Sequence, residues 1–327
     1  MKKDSLLDPL EGLTERYLSY RKRIRRIKKE KQKAKNPILD WLEAFVWAVG
    51  VVLLINQYLF QAYEIPSGSM IDTLLIGDRI FVNKIIFGPE LLPGMAKLPS
   101  FISPKRNDII IFENPSYLSR GPAFDIAQRI IYMLTISLVD IDRDESGEPK
   151  AHFLIKRGVG WGGDQFVLRR GEFQIRFAGE TRWTEEREFN AQRQFNHRIS
   201  RLVEPEAYPA LEAEGKAMAY MELHLNPPPR LMNAAVSVNE LRYPDDRARD
   251  KAGLEVIRGA YPQDHRYRVR FSRHTQGWYV PEGRILPLGD NRDNSRDGRS
   301  FGPIREAKVL GKGSIIYWPI GRIGLIR

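Results

Sequence analysis

The feature that most constrains what this chain can fold into is an apolar stretch, residues 41–60, whose centre, 44–55, carries no charged or strongly polar side chain. As a helix it would reach ~30 Å, the thickness of a bilayer core. Glu43 near one end, and Asn56 and Gln57 near the other, are its polar intrusions. The charge placed ahead of it gives it a direction: residues 1–36 hold 13 Lys/Arg against 5 Asp/Glu, which is 8 of the net +11 of the whole chain. Lys and Arg gather on the cytoplasmic side of membrane spans. This predicts a basic cytoplasmic arm over 1–36, a single membrane anchor over 37–60, and everything after it outside, on the cytoplasmic (inner) membrane of the cell. A cleaved secretory leader fits poorly, because the segment ahead of the apolar run is too long and no Ala-x-Ala-like site follows it.

Once the arm is set aside, the remaining 291 residues are nearly balanced at +3, so the pI near 9.7 does not describe a basic domain. No basic face interleaved with aromatics marks a nucleic-acid partner. The chain has no cysteine. Disulfides, thiolate metal sites and a cysteine nucleophile are therefore excluded.

After the anchor, Arg79-Ile80-Phe81-Val82-Asn83-Lys84-Ile85-Ile86-Phe87 and Asp108-Ile109-Ile110-Ile111-Phe112 are β-branched and aromatic runs bounded by turn residues, and both predict strands. Further strands are expected over 151–156, 165–168, 172–177, 266–271, 284–288 and 314–318. The architecture predicted is mainly β: an extracytoplasmic catalytic domain over 61–172 and 284–327, with an insertion at 114–150. Within that insertion, 126–139 has apolar residues at helical spacing and is too short to span a bilayer, leaving a core helix or a surface element that dips into the lipid interface. Residues 173–283 are polar and charged, with a helical pattern at 209–221 and a break at Pro227-Pro228-Pro229, and are read as an inserted second region.

The chemistry points to a serine without a histidine. Ile65-Pro66-Ser67-Gly68-Ser69-Met70 places two hydroxyls just beyond the anchor, yet a serine is a poor nucleophile until a base takes its proton. Of the five histidines, none sits in a recognisable hydrolase motif, and there is no Gly-x-Ser-x-Gly elbow. His152, four residues from Lys156, is the nearest to the motifs and is read as structural. Lys156, in His152-Phe153-Leu154-Ile155-Lys156-Arg157, follows three large apolar residues that could desolvate it. A base must be neutral, so burial would have to bring its pKa down from ~10.4 towards ~8, at about 3 kcal/mol. Read alone, Ser67-Gly68-Ser69 would pass for a turn and Lys156 for an ordinary strand lysine. A phosphate loop at 156–164 lacks the Gly-Lys-Ser/Thr that would complete it. Asp290, Asp293 and Asp297 lack the closing Glu of an EF-hand.

Taken with Gly289-Asp290-Asn291-Arg292-Asp293-Asn294-Ser295-Arg296-Asp297-Gly298-Arg299, these segments resemble the type I signal peptidase (leader peptidase) family. The resemblance covers about four short segments and the anchor. It departs from the family pattern at Asp72, where a proline is usual, at Gly158 and Gly162, and at Asn107, which stands in for a glycine in Lys105-Arg106-Asn107-Asp108. It implies Ser69 as nucleophile and Lys156 as general base. Ser67 would join the Ser69 amide as an oxyanion donor, Ser295 would hydrogen-bond the lysine amine, and Asp297 and Arg299 would form a bracing ion pair. It also implies pockets for small side chains one and three residues before the cut, with Tyr63, Ile65, Met70, Leu74 and Ile155 as candidate walls, and a β-rich second region. The function implied is removal of signal peptides from exported pre-proteins by a membrane-bound monomer. Its partners would be those peptides and membrane lipid, with no cofactor or metal. A catalytically inactive signal-peptide-binding scaffold is the alternative; the joint presence of Ser69, Lys156 and Ser295 speaks against it.

Overall fold

The computed structural model describes residues 7–33, 36–91, 96–100, 102–145, 147, 149–235, 238 and 245–326. The chain divides into two compact units, residues 1–54 and 55–327.

In the first, helix α1 (Leu7–Lys33) carries the basic run on exposed side chains at Arg21, Lys22, Arg23, Arg25 and Arg26. Helix α2 (Pro37–Tyr58) begins where Asn36 accepts the backbone N–H of Ile38 at 3.0 Å and Pro37 supplies a preset first turn. Its 22 residues reach about 33 Å. Among the described residues it is the one helix long and apolar enough to cross a membrane, with Trp41, Phe45, Val46 and Trp47 exposed. The helix stops at Tyr58, two residues short of the expected end of the anchor, and Phe60 already opens a strand.

The second unit is built on an antiparallel sheet in the order β1-β2-β11-β3-β4-β9-β10. The strands are β1 (Phe60–Glu64), β2 (Arg79–Asn83), β3 (Ile109–Glu113), β4 (Phe153–Trp161), β9 (Arg284–Leu288), β10 (Ile304–Arg305) and β11 (Val309–Trp318). A short β12 (Gly324–Leu325) also pairs with β11. Side chains alternate across a strand. Accordingly Ile109 and Ile111 of β3 pack with Tyr63, Ile65, Met70 and Leu74 on one face, while Ile110 and Phe112 join Phe87, Ile285 and Val309 on the other. A sheet covered on both faces explains why β3 reads as a continuous apolar run. In the insertion, α3 (Pro122–Leu134) is a surface helix, not a core one. It lays Tyr132 and Met133 towards the protein and leaves Ile126, Ile130 and Leu134 exposed.

The stretch 173–283 differs from the β-rich region expected. A small sheet, β7-β6-β5-β8, is made from β5 (Gln165–Arg169), β6 (Glu172–Arg176), β7 (Thr184–Glu185) and β8 (Trp278–Tyr279). Its other regular elements among the described residues are mostly helices: α4 (Glu186–Gln192), α5 (Tyr208–Glu222), α6 (Pro229–Ala235), α7 (Asp246–Ala260) and α8 (His265–Gln276). The strand expected at 266–271 lies inside α8. Its Arg-Tyr-Arg-Val-Arg-Phe alternation imitates a strand, but the Asp264 carboxylate accepts the N–H of Arg266 at 2.9 Å and caps a helix start, and α8 then packs on α7. Helices α5 and α7 approach so closely that a Cβ at Gly215 would stand 2.2 Å from the Arg249 carbonyl oxygen. The structure thus needs glycine there.

Candidate active site

β1 ends at Glu64, and Pro66 leads into a single 3-10 turn, Gly68–Met70, which presents Ser69. Lys156 lies on β4, and the two meet: Nζ donates to the Ser69 Oγ at 2.7 Å and to the Ile155 carbonyl at 2.9 Å. Both are buried, Ser69 to 8% exposure and Lys156 to 3%. Burial lowers the Lys156 pKa to about 8; Asp297 and Asp290 nearby pull it upwards, and Arg299 pushes it down. Desolvation therefore outweighs two carboxylates. A low lysine pKa alone would not single out this residue, because burial also brings Lys84 down to about 8. The bonding partner of Lys84, however, is the Gln61 amide oxygen at 3.1 Å. Geometry distinguishes the two.

A cavity of about 510 Å³ opens on the pair and is lined by Tyr63, Ile65, Met70 and Ile155 among others. Leu74, the fifth candidate wall residue, is fully buried in the core behind them and does not line it. Ser67 is exposed, with its Oγ 3.5 Å from the Ser69 Oγ. With Ser67 as the oxyanion donor that the resemblance implies, Ser67→Ala is expected to lower the cleavage rate about 10²-fold, much less than loss of Ser69. Steady-state kinetics on one pre-protein checks this.

The loop after β9 braces the site. Asp297 and Arg299 form a buried ion pair at 2.9 Å, and Asp297 also accepts the N–H of Gly289 at 3.0 Å. Ser295 departs from the role implied for it: its buried Oγ makes no hydrogen bond, to Lys156 or otherwise. The reason is packing. The lysine's bonds go to Ser69 and Ile155, while the Ser295 hydroxyl sits against Gly289, where a Cβ would lie 2.1 Å from it and 2.6 Å from the Ser69 carbonyl oxygen. His152 lines the same cavity, but its Nε2 is 3.0 Å from the Asp142 carboxylate, its ring packs at a tilt against Tyr117, and burial holds its pKa below the usual value.

Sequence reasoning gave no role to the charge network next to the lysine. Arg157, 1% exposed, donates through Nε and Nη2 to the Asp290 carboxylate at 2.8 and 2.7 Å, and Thr73 donates to the same carboxylate at 2.6 Å. Nη1 of Arg157 donates to the Asn107 backbone and side-chain oxygens at 2.9 and 3.0 Å. Asn107 has φ 72°, the left-handed region that favours glycine and tolerates asparagine, which accounts for its standing in a glycine position. Opposite charges in two of the quoted motifs, Arg157 and Asp290, were the available signal.

The sheet and the cavity bring a serine hydroxyl and a lysine amine together, the groups of a candidate hydrolase site. The profile of the family described as "Signal peptidase, peptidase S26" matches residues 38–215 and 230–318. The chain belongs to that family, and it is a signal peptidase of the serine-peptidase type. Similar proteins include signal peptidase I of Haemophilus influenzae, 26% identical over 311 residues covering 89% of this chain and 76% of that one. Signal peptidase I of Aquifex aeolicus is 26% identical, covering 82% and 79%. That of Pseudomonas aeruginosa is 24% identical, covering 87% and 75%.

Proposed function

We propose that this chain is a membrane-anchored endopeptidase that cuts signal peptides from exported pre-proteins through an acyl-enzyme on Ser69. The observation that carries the reading is the 2.7 Å contact between the Ser69 hydroxyl and a lysine amine whose pKa burial lowers to about 8. Neutral Lys156 takes the Ser69 proton as Oγ attacks the scissile carbonyl. The Ser69 amide and the Ser67 hydroxyl stabilise the oxyanion, and the amine then returns the proton to the leaving nitrogen. A water activated by the same amine releases the acyl group. Tyr63, Ile65, Met70 and Ile155 wall the pockets for the small residues before the cut.

A membrane anchor on the same chain suits a substrate that is itself held in a membrane, since confinement raises the effective concentration. Exposed Trp318, Ile320, Ile323 and Leu325 support contact with lipid near the site. Arg322, among them, ties to Asp78 at 2.9 Å and so to the segment that follows Ser69. Incubating the purified full chain with a pre-protein and sequencing the new N-terminus tests the reading; a cut elsewhere than after the signal peptide, or none, would reject it. The basic arm predicts the orientation. Protease added to intact spheroplasts is expected to digest residues beyond 61 and to spare a tag on the N-terminus, and protection of both ends would refute it.

A further inference from the structure

The Ser69 backbone is held from the loop after β9 through Asn291. The Asn291 N–H donates to the Ser69 carbonyl at 3.1 Å, and its side-chain amide donates to the Gly68 carbonyl at 3.0 Å. Asn291 touches no reacting atom and is 4% exposed. It is gripped in turn from its far side by one residue of the inserted region. The Ser200 N–H donates to the Asp290 carbonyl at 2.9 Å and the Arg292 N–H donates to the Ser200 carbonyl at 3.0 Å, a parallel bridge that engages both peptide groups flanking Asn291. Asp293 continues the clasp, accepting the N–H groups of Leu202 and Val203 at 2.6 and 2.9 Å and the Arg201 Nε at 3.0 Å. Arg292 is paired with Glu186 of α4 at 2.7 Å, both nearly inaccessible. The Ser200 hydroxyl also donates to Asp72 at 3.1 Å, two residues past the turn that presents the serine.

We infer that residues 198–203 are a positioning strap: the inserted region fixes the 289–293 loop, and the loop, through Asn291, sets where the Ser69 hydroxyl stands relative to Lys156. This rests on Ser69 being the nucleophile. The bonds converge on one loop and on the segment beyond Ser69 instead of being spread over a core, and most are made by backbone groups, so they would hold with almost any side chains along the strap. A displacement of about 1 Å at a reacting atom can cost ~10²-fold in rate. The strap thus gives the otherwise featureless region 173–283 a part in catalysis.

The test uses the full-length enzyme and three variants. Ser200→Pro removes the donor to Asp290, Asp293→Ala removes the acceptor of three donors, and Asp293→Asn keeps an acceptor oxygen for Leu202 and Val203. In the first two, kcat is expected to fall roughly 10- to 100-fold with KM within about two-fold and the apparent pKa of the rate unmoved, while Asp293→Asn recovers most of the loss. If Ser200→Pro does not fold, the Asp293 pair decides. Unchanged kcat with a lowered melting temperature would overturn the proposal and leave the strap a structural brace; so would a loss carried entirely by KM. Cleavage by Ser69→Ala in the same assay would instead overturn the nucleophile, whatever the strap variants do.

Discussion

Ser69→Ala and Lys156→Met are each expected to abolish pre-protein cleavage, by roughly 10⁴-fold or more, because members of a nucleophile–base unit are not partly dispensable. The two losses should not multiply in the double variant. Neither variant should unfold the protein, and Lys156→Met should hold its melting temperature or raise it. A lysine whose pKa drops from 10.5 to about 8 on burial destabilises the native state by about 3 kcal/mol at pH 7. Methionine removes that penalty at the cost of leaving the Ser69 hydroxyl without its partner. Kinetics and thermal melts on the same preparations check both halves. Substantial cleavage by Lys156→Met would sink the dyad and turn attention to His152, which shares the cavity. Inhibitors whose action depends on a catalytic histidine should leave this enzyme untouched.

With Lys156 as base, kcat/KM should rise as that amine loses its proton, through an apparent pKa near 8, and level off on the alkaline side. A histidine base would put the rise near ~6.5, and His152 lower still, since burial depresses it. The sign for stability follows from the same shift. Between about pH 8 and 10.5 the unfolded lysine binds a proton that the folded one has given up, so stability rises with pH across that window; below about pH 8 the full penalty is present. The Lys156→Met variant should lack this part of the pH dependence of unfolding. A rising limb centred near ~6.5, or a window of stability gain that survives in Lys156→Met, would overturn the assignment.

Part of this protein is legible from local pattern. The long apolar helix α2, the strands β3, β5, β6 and β9, the first part of the strand expected over 79–87, which ends at Asn83, and the helix α5 can be read from short-range pattern, because each is set by which side chains lie within a turn or two. The candidate pair was legible for another reason: Ser69 and Lys156 stand in short segments whose residue types narrow the chemistry even at a distance. Helix α8 was not, since its arginines alternate with apolar residues as a strand's would and only the Asp264 cap and the packing on α7 break the tie. Leu74 shows the same limit, for an apolar residue near a serine can as well fill the core as line a pocket.

What the amino-acid sequence offered by itself was the class of chemistry and a candidate span: a hydroxyl, an amine flanked by apolar residues, no thiol, and a 20-residue apolar run behind a cationic arm. What only the tertiary structure decided was which groups meet. Burial of Lys156 is produced by side chains from distant segments, and so is its pKa, because desolvation depends on everything within several ångströms and not on neighbours in the chain. The Arg157–Asp290–Thr73 network and the Ser200 strap join residues remote in sequence, and their hydrogen bonds need specific distances and angles that local pattern does not encode.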